Sequence, residues 1–136
     1  MNEALKKLYQ EVIVDHHKRP RNQGPLAGAT HEATATNPLC GDEVTVRLVV
    51  DADKIAAVRF EARGCMLSGA AASMMTEEIV GKTLAEARAK REAFERALRS
   101  AGGDLGALEA LAGVREFPSR MSCVTLPWQA LASSLG

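Results

Sequence analysis

Apolar positions along this chain follow two different periods. Residues 3–17 place Leu5, Leu8, Tyr9, Val12 and Ile13 at i, i+3, i+4 spacing, which predicts an amphipathic helix. The run Pro20-Arg21-Asn22-Gln23-Gly24-Pro25 ends it. Residues 29–36 are weakly strand-like, and Asn37-Pro38 closes them as a turn. Over residues 43–50 the period becomes two, with Val44, Val46, Leu48 and Val50 on one face of a half-buried strand. Asp51-Ala52-Asp53-Lys54 reads as a turn into a second strand, 55–62, whose apolar members are Ile55, Val58, Phe60 and Ala62. The two strands are expected to pair as an antiparallel hairpin.

Gly64 breaks the second strand. Residues 66–80 then read as a helix of small Ala and Ser residues on a Met/Leu/Ile background, a composition that lets a helix lie close to a sheet. Met66, Met74 and Met75 read as gap-filling core. Gly81 can cap the helix end. Thr83 with Glu86 three residues on forms a capping box for a helix reaching about Arg99, with Leu84, Ala87, Phe94 and Leu98 toward the core and its charges toward solvent. Gly102-Gly103 reads as a loop, Asp104 as the cap of a short helix over 105–112, and Gly113 as its end. Phe117-Pro118 is expected to block helix there, so the last helix should begin near Arg120–Cys123 and run through Leu126, Trp128, Leu131 and Leu135. Trp128 reads as core.

Length changes the picture little: 136 residues fit one domain, 1–136. The content of 46% apolar and 25% charged residues is ordinary for a soluble globular protein. Lys plus Arg equals Asp plus Glu at 17 each, which gives no support to a nucleic-acid or membrane-surface partner. No apolar run is long enough for a membrane span. Residues 1–19 lack the apolar core and cleavage site of a signal peptide, so the expected compartment is the cytoplasm. In that reducing setting the odd number of cysteines, 3, argues against structural disulfides.

Those cysteines carry the candidate chemistry. Cys40 lies in the turn Pro38-Leu39-Cys40-Gly41-Asp42, Cys65 follows Gly64 where strand becomes helix, and Cys123 falls near the expected start of the last helix. The bland reading of each is a small buried hydrophobe. The sharper one is a shared site, because binding groups concentrate at the ends of rigid elements. A helix N-terminus lowers a thiol's pKa and favours the thiolate, which is both ligand and nucleophile. Gly41 and Gly64 permit tight turns beside the sulfurs. Three thiolates leave a tetrahedral zinc site one ligand short, and Asp42, two residues after Cys40, can supply an oxygen. The spacing matches no zinc ribbon or finger. His16 and His17 sit at a helix end, where a cation against the dipole is a better reading than a ligand. Arg120 can pair with an acidic or persulfide group near Cys123, or form a surface salt bridge. The basic turn Lys18-Arg19-Pro20-Arg21 is a partner surface or simply solvated.

Four stretches carry a resemblance. They are Leu8-Tyr9 with Val12-Ile13-Val14-Asp15-His16 and Pro20-Arg21-Asn22-Gln23-Gly24; Asn37-Pro38-Leu39-Cys40-Gly41-Asp42; Phe60 with Gly64-Cys65-Met66-Leu67-Ser68-Gly69-Ala70-Ala71-Ala72-Ser73; and Arg120-Met121-Ser122-Cys123-Val124-Thr125-Leu126-Pro127-Trp128-Gln129-Ala130-Leu131. In order and nearly throughout, the chain resembles the U-type iron–sulfur assembly proteins, in the SufU branch. IscU-like members carry a histidine before the third cysteine, where this chain has Ser122, and a Leu-Pro-Pro-Val-Lys motif upstream, where it has Phe117-Pro118-Ser119-Arg120. The Cys65–Cys123 segment is also longer than in IscU-like chains. The resemblance implies an α+β fold, a small antiparallel sheet of about three strands with helices packed on one face. It implies zinc held by Cys40, Asp42, Cys65 and Cys123. It implies a SufS-like, pyridoxal-phosphate-dependent cysteine desulfurase as partner, handing persulfide sulfur to Cys40, with downstream Suf assembly proteins beyond it. The alternatives are a scaffold for a transient [2Fe–2S] cluster, which the missing histidine disfavours, and a structural-zinc module that activates the desulfurase.

Overall fold

The computed structural model describes residues 3–38, 41–99 and 118–135, with side chains described for 10–38, 41–98 and 121–135. Helix α1 spans Glu3–Lys18, strands β1, β2 and β3 span His31–Asn37, Asp42–Asp51 and Lys54–Arg63, and helices α2, α3 and α4 span Met66–Ile79, Leu84–Arg99 and Pro118–Leu135. The expected loop at 102–103 and helix over 105–112 lie outside the described residues.

The strands form one antiparallel sheet in the order β1-β2-β3. Val44, Val46 and Leu48 are fully buried on one face of β2, and the residues between them are part exposed. That alternation is what a sheet covered on one side requires. The covering layer is α4, against β1 and β2, and α2, against β3; α1 and α3 pack on these helices.

Apolar spacing in β3 breaks parity between Ile55 and Val58, yet both are buried. The cause is a register shift: Val49 pairs Ala57, but Val50 pairs Ile55, so Ala56 is an extra residue. A β-bulge of this kind returns both apolar side chains to the core face. Ala52 and Asp53 have φ of 49° and 67° in the turn between the paired residues Asp51 and Lys54. This is the left-handed pair that a two-residue hairpin turn demands.

Other edges are closed by backbone. Phe60 N–H donates to Asn22 O at 2.9 Å and Gly24 N–H to Phe60 O at 2.9 Å, so the segment after α1 covers the free side of β3. Trp128, Phe60 and Phe94 are buried to 1% exposure or less, each contributing roughly 1.5–3 kcal/mol by area. Phe94 and Trp128 rings pack at 5.7 Å between centroids, joining α3 to α4. Met74 and Met75 are core as expected, but Met66 is 45% exposed. It is the first residue of α2, ahead of the turns in which the buried residues lie.

Helix α4 begins earlier than the sequence suggests. Pro118 is its first residue rather than a barrier. The first helical position has no intrahelical use for an N–H, and proline's fixed φ suits it. Inside the same helix, Pro127 has no N–H to give to the carbonyl of Cys123 four residues earlier.

Candidate metal centre

The site grows from the β2–β3 hairpin. Asp42 is the first residue of β2 and pairs with Asn37, the last of β1. The neighbouring pair Glu43–Arg63 ends the β2–β3 ladder, so the chain leaving β3 passes over Asp42. Gly64 makes that passage possible. Its φ is +116°, and a Cβ built there would collide with Asp42 Oδ1 and stand 2.8 Å from Asp42 Cα. Only glycine suits both the dihedral and the approach.

Beyond Gly64 the chain enters α2 with Cys65 as N-cap, as expected. Asp42 is 1% exposed, and α2 satisfies its carboxylate. Cys65 N–H donates to Oδ1 at 2.8 Å, Ser68 Oγ donates to Oδ2 at 2.6 Å, and Cys65 Sγ lies 3.1 Å from Oδ2. Ser68 is fully buried and sits 3.5 Å from Cys65 Sγ. Helix α4, crossing β1 and β2, brings in Cys123, which is 2% exposed.

Asp42, Cys65 and Cys123 thus offer one carboxylate oxygen and two sulfurs, all within 4.8 Å of one another. The edges of a tetrahedron with zinc–sulfur and zinc–oxygen bonds of ordinary length are about 3.5–3.8 Å, so this donor set fits such an ion. The cluster gathers potential negative charge in one corner. Burial pushes the Cys123 thiol up to about 12, and the neighbouring Cys65 and the Asp42 carboxylate add to the rise. A bound cation reverses that sign.

This corrects one expectation. Cys123 is the sixth residue of α4, well inside the helix, and its pKa is raised where a helix N-terminus would lower it. Its suitability as a ligand comes from convergence with Asp42 and Cys65. Cys40 lies outside the described residues. The connection that carries it joins Asn37 to Asp42 and is closed by Gly41 N–H donating to Asn37 O at 2.8 Å, with Gly41 at φ +74°.

The histidines stand apart from this cluster. His16 is 7% exposed and bonds Ser73 Oγ through Nδ1 at 2.7 Å, so it serves the α1–α2 contact. Arg19 and Arg21 of the basic turn pair with Asp15 at 2.9 Å and 2.6 Å. The side chain of Arg120 lies outside the described ones. A cavity of about 320 Å³ opens beside Cys65, lined among others by His17, Lys18, Arg63 and Met66.

Ser68 is the residue that motif reading passed over. The signal was available: Cys65-x-x-Ser68 puts the hydroxyl one helical turn from the thiol. Ser122, where the IscU-like pattern has histidine, accepts a hydrogen bond from Asn37 Nδ2 at 2.9 Å, tying α4 to the end of β1.

The chain is similar to known proteins along nearly its whole length. The chain is 40% identical over 134 residues to the zinc-dependent sulfurtransferase SufU of Bacillus subtilis, covering 96% of this chain and 90% of that one. It is 39% identical over 135 residues to the iron–sulfur cluster assembly scaffold protein IscU of Streptococcus pyogenes, covering 96% and 84%. A crystal structure from Fervidobacterium islandicum, described as a candidate iron–sulfur cluster assembly scaffold protein for the SUF system, superposes with a TM-score of 0.87 at 33% identity, over 99% of this chain and all of that one. The family model for the NifU-like N terminal domain matches residues 8–131, and the chain belongs to that family.

Proposed function

We propose that this chain acts in iron–sulfur cluster assembly as a zinc-dependent sulfurtransferase, with Cys40, Asp42, Cys65 and Cys123 as the zinc ligands and Cys40 as the sulfur acceptor. The observation that carries the reading is the buried carboxylate and two thiols within 4.8 Å of one another. Cys40 is two residues from Asp42, so its Cα stays within about 7 Å of Asp42 Cα whatever the turn's form. The relative named a zinc-dependent sulfurtransferase is 40% identical to this chain.

Zinc, when bound, keeps its thiolate ligands deprotonated near neutral pH. The chain's own residues do the rest. Asp42 is a hard oxygen donor in an otherwise sulfur set. Cys65 and Cys123 come from two helices and would hold the ion with Asp42 while Cys40 leaves it to react. The donor is a persulfide on a SufS-like cysteine desulfurase. The Cys40 thiolate attacks its outer sulfur, a new sulfur–sulfur bond forms on Cys40, and the donor cysteine leaves as thiolate. The exchange needs no external oxidant or reductant. No described helix is long and apolar enough to cross a membrane, which suits work alongside a soluble desulfurase in the cytoplasm.

A scaffold for a transient [2Fe–2S] cluster is the second reading, favoured by the IscU relative at 39% identity. Against it stands Ser122, which offers a hydroxyl engaged by Asn37 where an imidazole would serve a cluster.

The deciding experiment is mass spectrometry after incubation with a SufS-like desulfurase and cysteine, together with metal analysis of the purified protein. We expect about one zinc per chain and a single added sulfur on Cys40, absent in Cys40→Ser. A metal-free protein, or normal sulfur transfer to Cys40→Ser, would overturn the proposal.

A further inference from the structure

The hydroxyl of Ser68 is fully buried and donates to Asp42 Oδ2 at 2.6 Å, while Oδ1 accepts the Cys65 amide at 2.8 Å. Both oxygens of the carboxylate are therefore anchored by α2, the element that also presents Cys65. Oδ2 is the oxygen facing the sulfur, 3.1 Å from Cys65 Sγ. A carboxylate held at both oxygens cannot swing to a bidentate grip. The thiols of Cys65 and Cys123 lie on its Oδ2 side. Ser68 Oγ also lies 3.5 Å from Cys65 Sγ. Gly64 presses on the carboxylate from the strand side.

We propose that Ser68 is a positioning residue of the metal centre, which fixes Asp42 as a single-oxygen ligand and sets how tightly the site holds its ion. The inference rests on the reading of Asp42 as a ligand given above. Its physical basis is preorganisation. Hydrogen-bonded partners behind a metal ligand orient it, and their loss commonly costs about 10–100-fold in affinity. Without the hydroxyl, the ion must fix the carboxylate at the moment of binding, and Oδ2 loses a buried donor.

The test is a double-mutant cycle on zinc affinity, measured by competition with a chromophoric chelator, in the full chain. Ser68→Ala is expected to weaken zinc binding at least 10-fold. Asp42→Asn is expected to weaken it more. The two together should be no weaker than Asp42→Asn alone, because Ser68 acts only through that carboxylate. Cobalt substitution gives a second readout. The visible bands of the cobalt form should shift in Ser68→Ala, as the oxygen ligand changes its approach. A fold-stabilising serine with no role at the metal would lower the melting temperature but leave affinity and cobalt bands unchanged, and that result overturns the inference. Additive losses in the double mutant overturn it as well. If Asp42→Asn itself leaves zinc affinity unchanged, the failure lies in the ligand assignment and takes this inference with it.

Discussion

Helix α2 carries two buried polar clusters only a few residues apart, and they are built on opposite principles. At its N-terminal end are Asp42, Cys65, Ser68 and Cys123. Further along, Ser73 Oγ accepts the Arg21 amide at 2.9 Å and bonds His16 Nδ1 at 2.7 Å. Thr76 Oγ1 accepts Asn22 Nδ2 at 3.1 Å and donates to Ser73 O at 2.7 Å. In this second cluster donors meet acceptors among groups that can all stay neutral. Burial keeps His16 that way, lowering its pKa from 6.5, with the Arg21 charge adding to the effect and Glu77 and Asp15 opposing it. These hydrogen bonds close within the fold, and their product is a fixed α1. The first cluster gathers a carboxylate and two thiols in one corner, with the Cys65 amide and the Ser68 hydroxyl donating to the carboxylate. Buried like charges need a cation. One corner is finished by the fold, and the other has the donor set of a metal centre.

The largest expected effect comes from breaking the corner at its tightest point. Gly64→Ala adds a methyl against Asp42 and strains a φ of +116°. We expect a loss of about 3 kcal/mol or more by denaturant unfolding, together with loss of bound zinc in metal analysis. A stable, zinc-loaded variant would show that the strand and Asp42 do not need this contact.

His16→Ala sharpens the contrast. It should cost about 1–3 kcal/mol, because Ser73 loses a buried partner, while zinc content stays at the wild-type level. The wild type should also carry a pH signature. A lowered histidine pKa means that the folded chain binds fewer protons than the unfolded one, so stability rises with pH through that range. The contribution is complete above the unfolded value near 6.5 and is lost as pH falls through the lower folded value. Unfolding curves between about pH 4 and 8 should lose that component in His16→Ala; an identical slope in both proteins would remove His16 from the account.

The smallest effect lies outside both clusters. Thr83 and Glu86 form the expected reciprocal cap, with Thr83 N–H to Glu86 Oε1 at 3.0 Å and Glu86 N–H to Thr83 Oγ1 at 3.1 Å. Thr83→Ala should cost about 1 kcal/mol and change neither zinc content nor the pH slope. A shift in either would mean that α3 communicates with the corner.

Periodicity and local chemistry were enough, from the sequence alone, for the helix over 3–17, the hairpin of 43–50 and 55–62, the capping box at Thr83 and the buried place of Trp128, because each depends on residues near one another in the chain. Asp42 and Cys65 were legible as site residue types for the same reason: each sits beside a turn that glycine marks. Where the chain meets itself at long range, only the tertiary structure could decide. It set the extra residue Ala56 in β3, the start of α4 at Pro118, the buried position of Cys123, the serine behind Asp42, and the neutral cluster around His16. Hydrophobic period and capping act over a few residues, whereas a pKa, a buried hydrogen bond or a ligand geometry depends on which distant elements pack together.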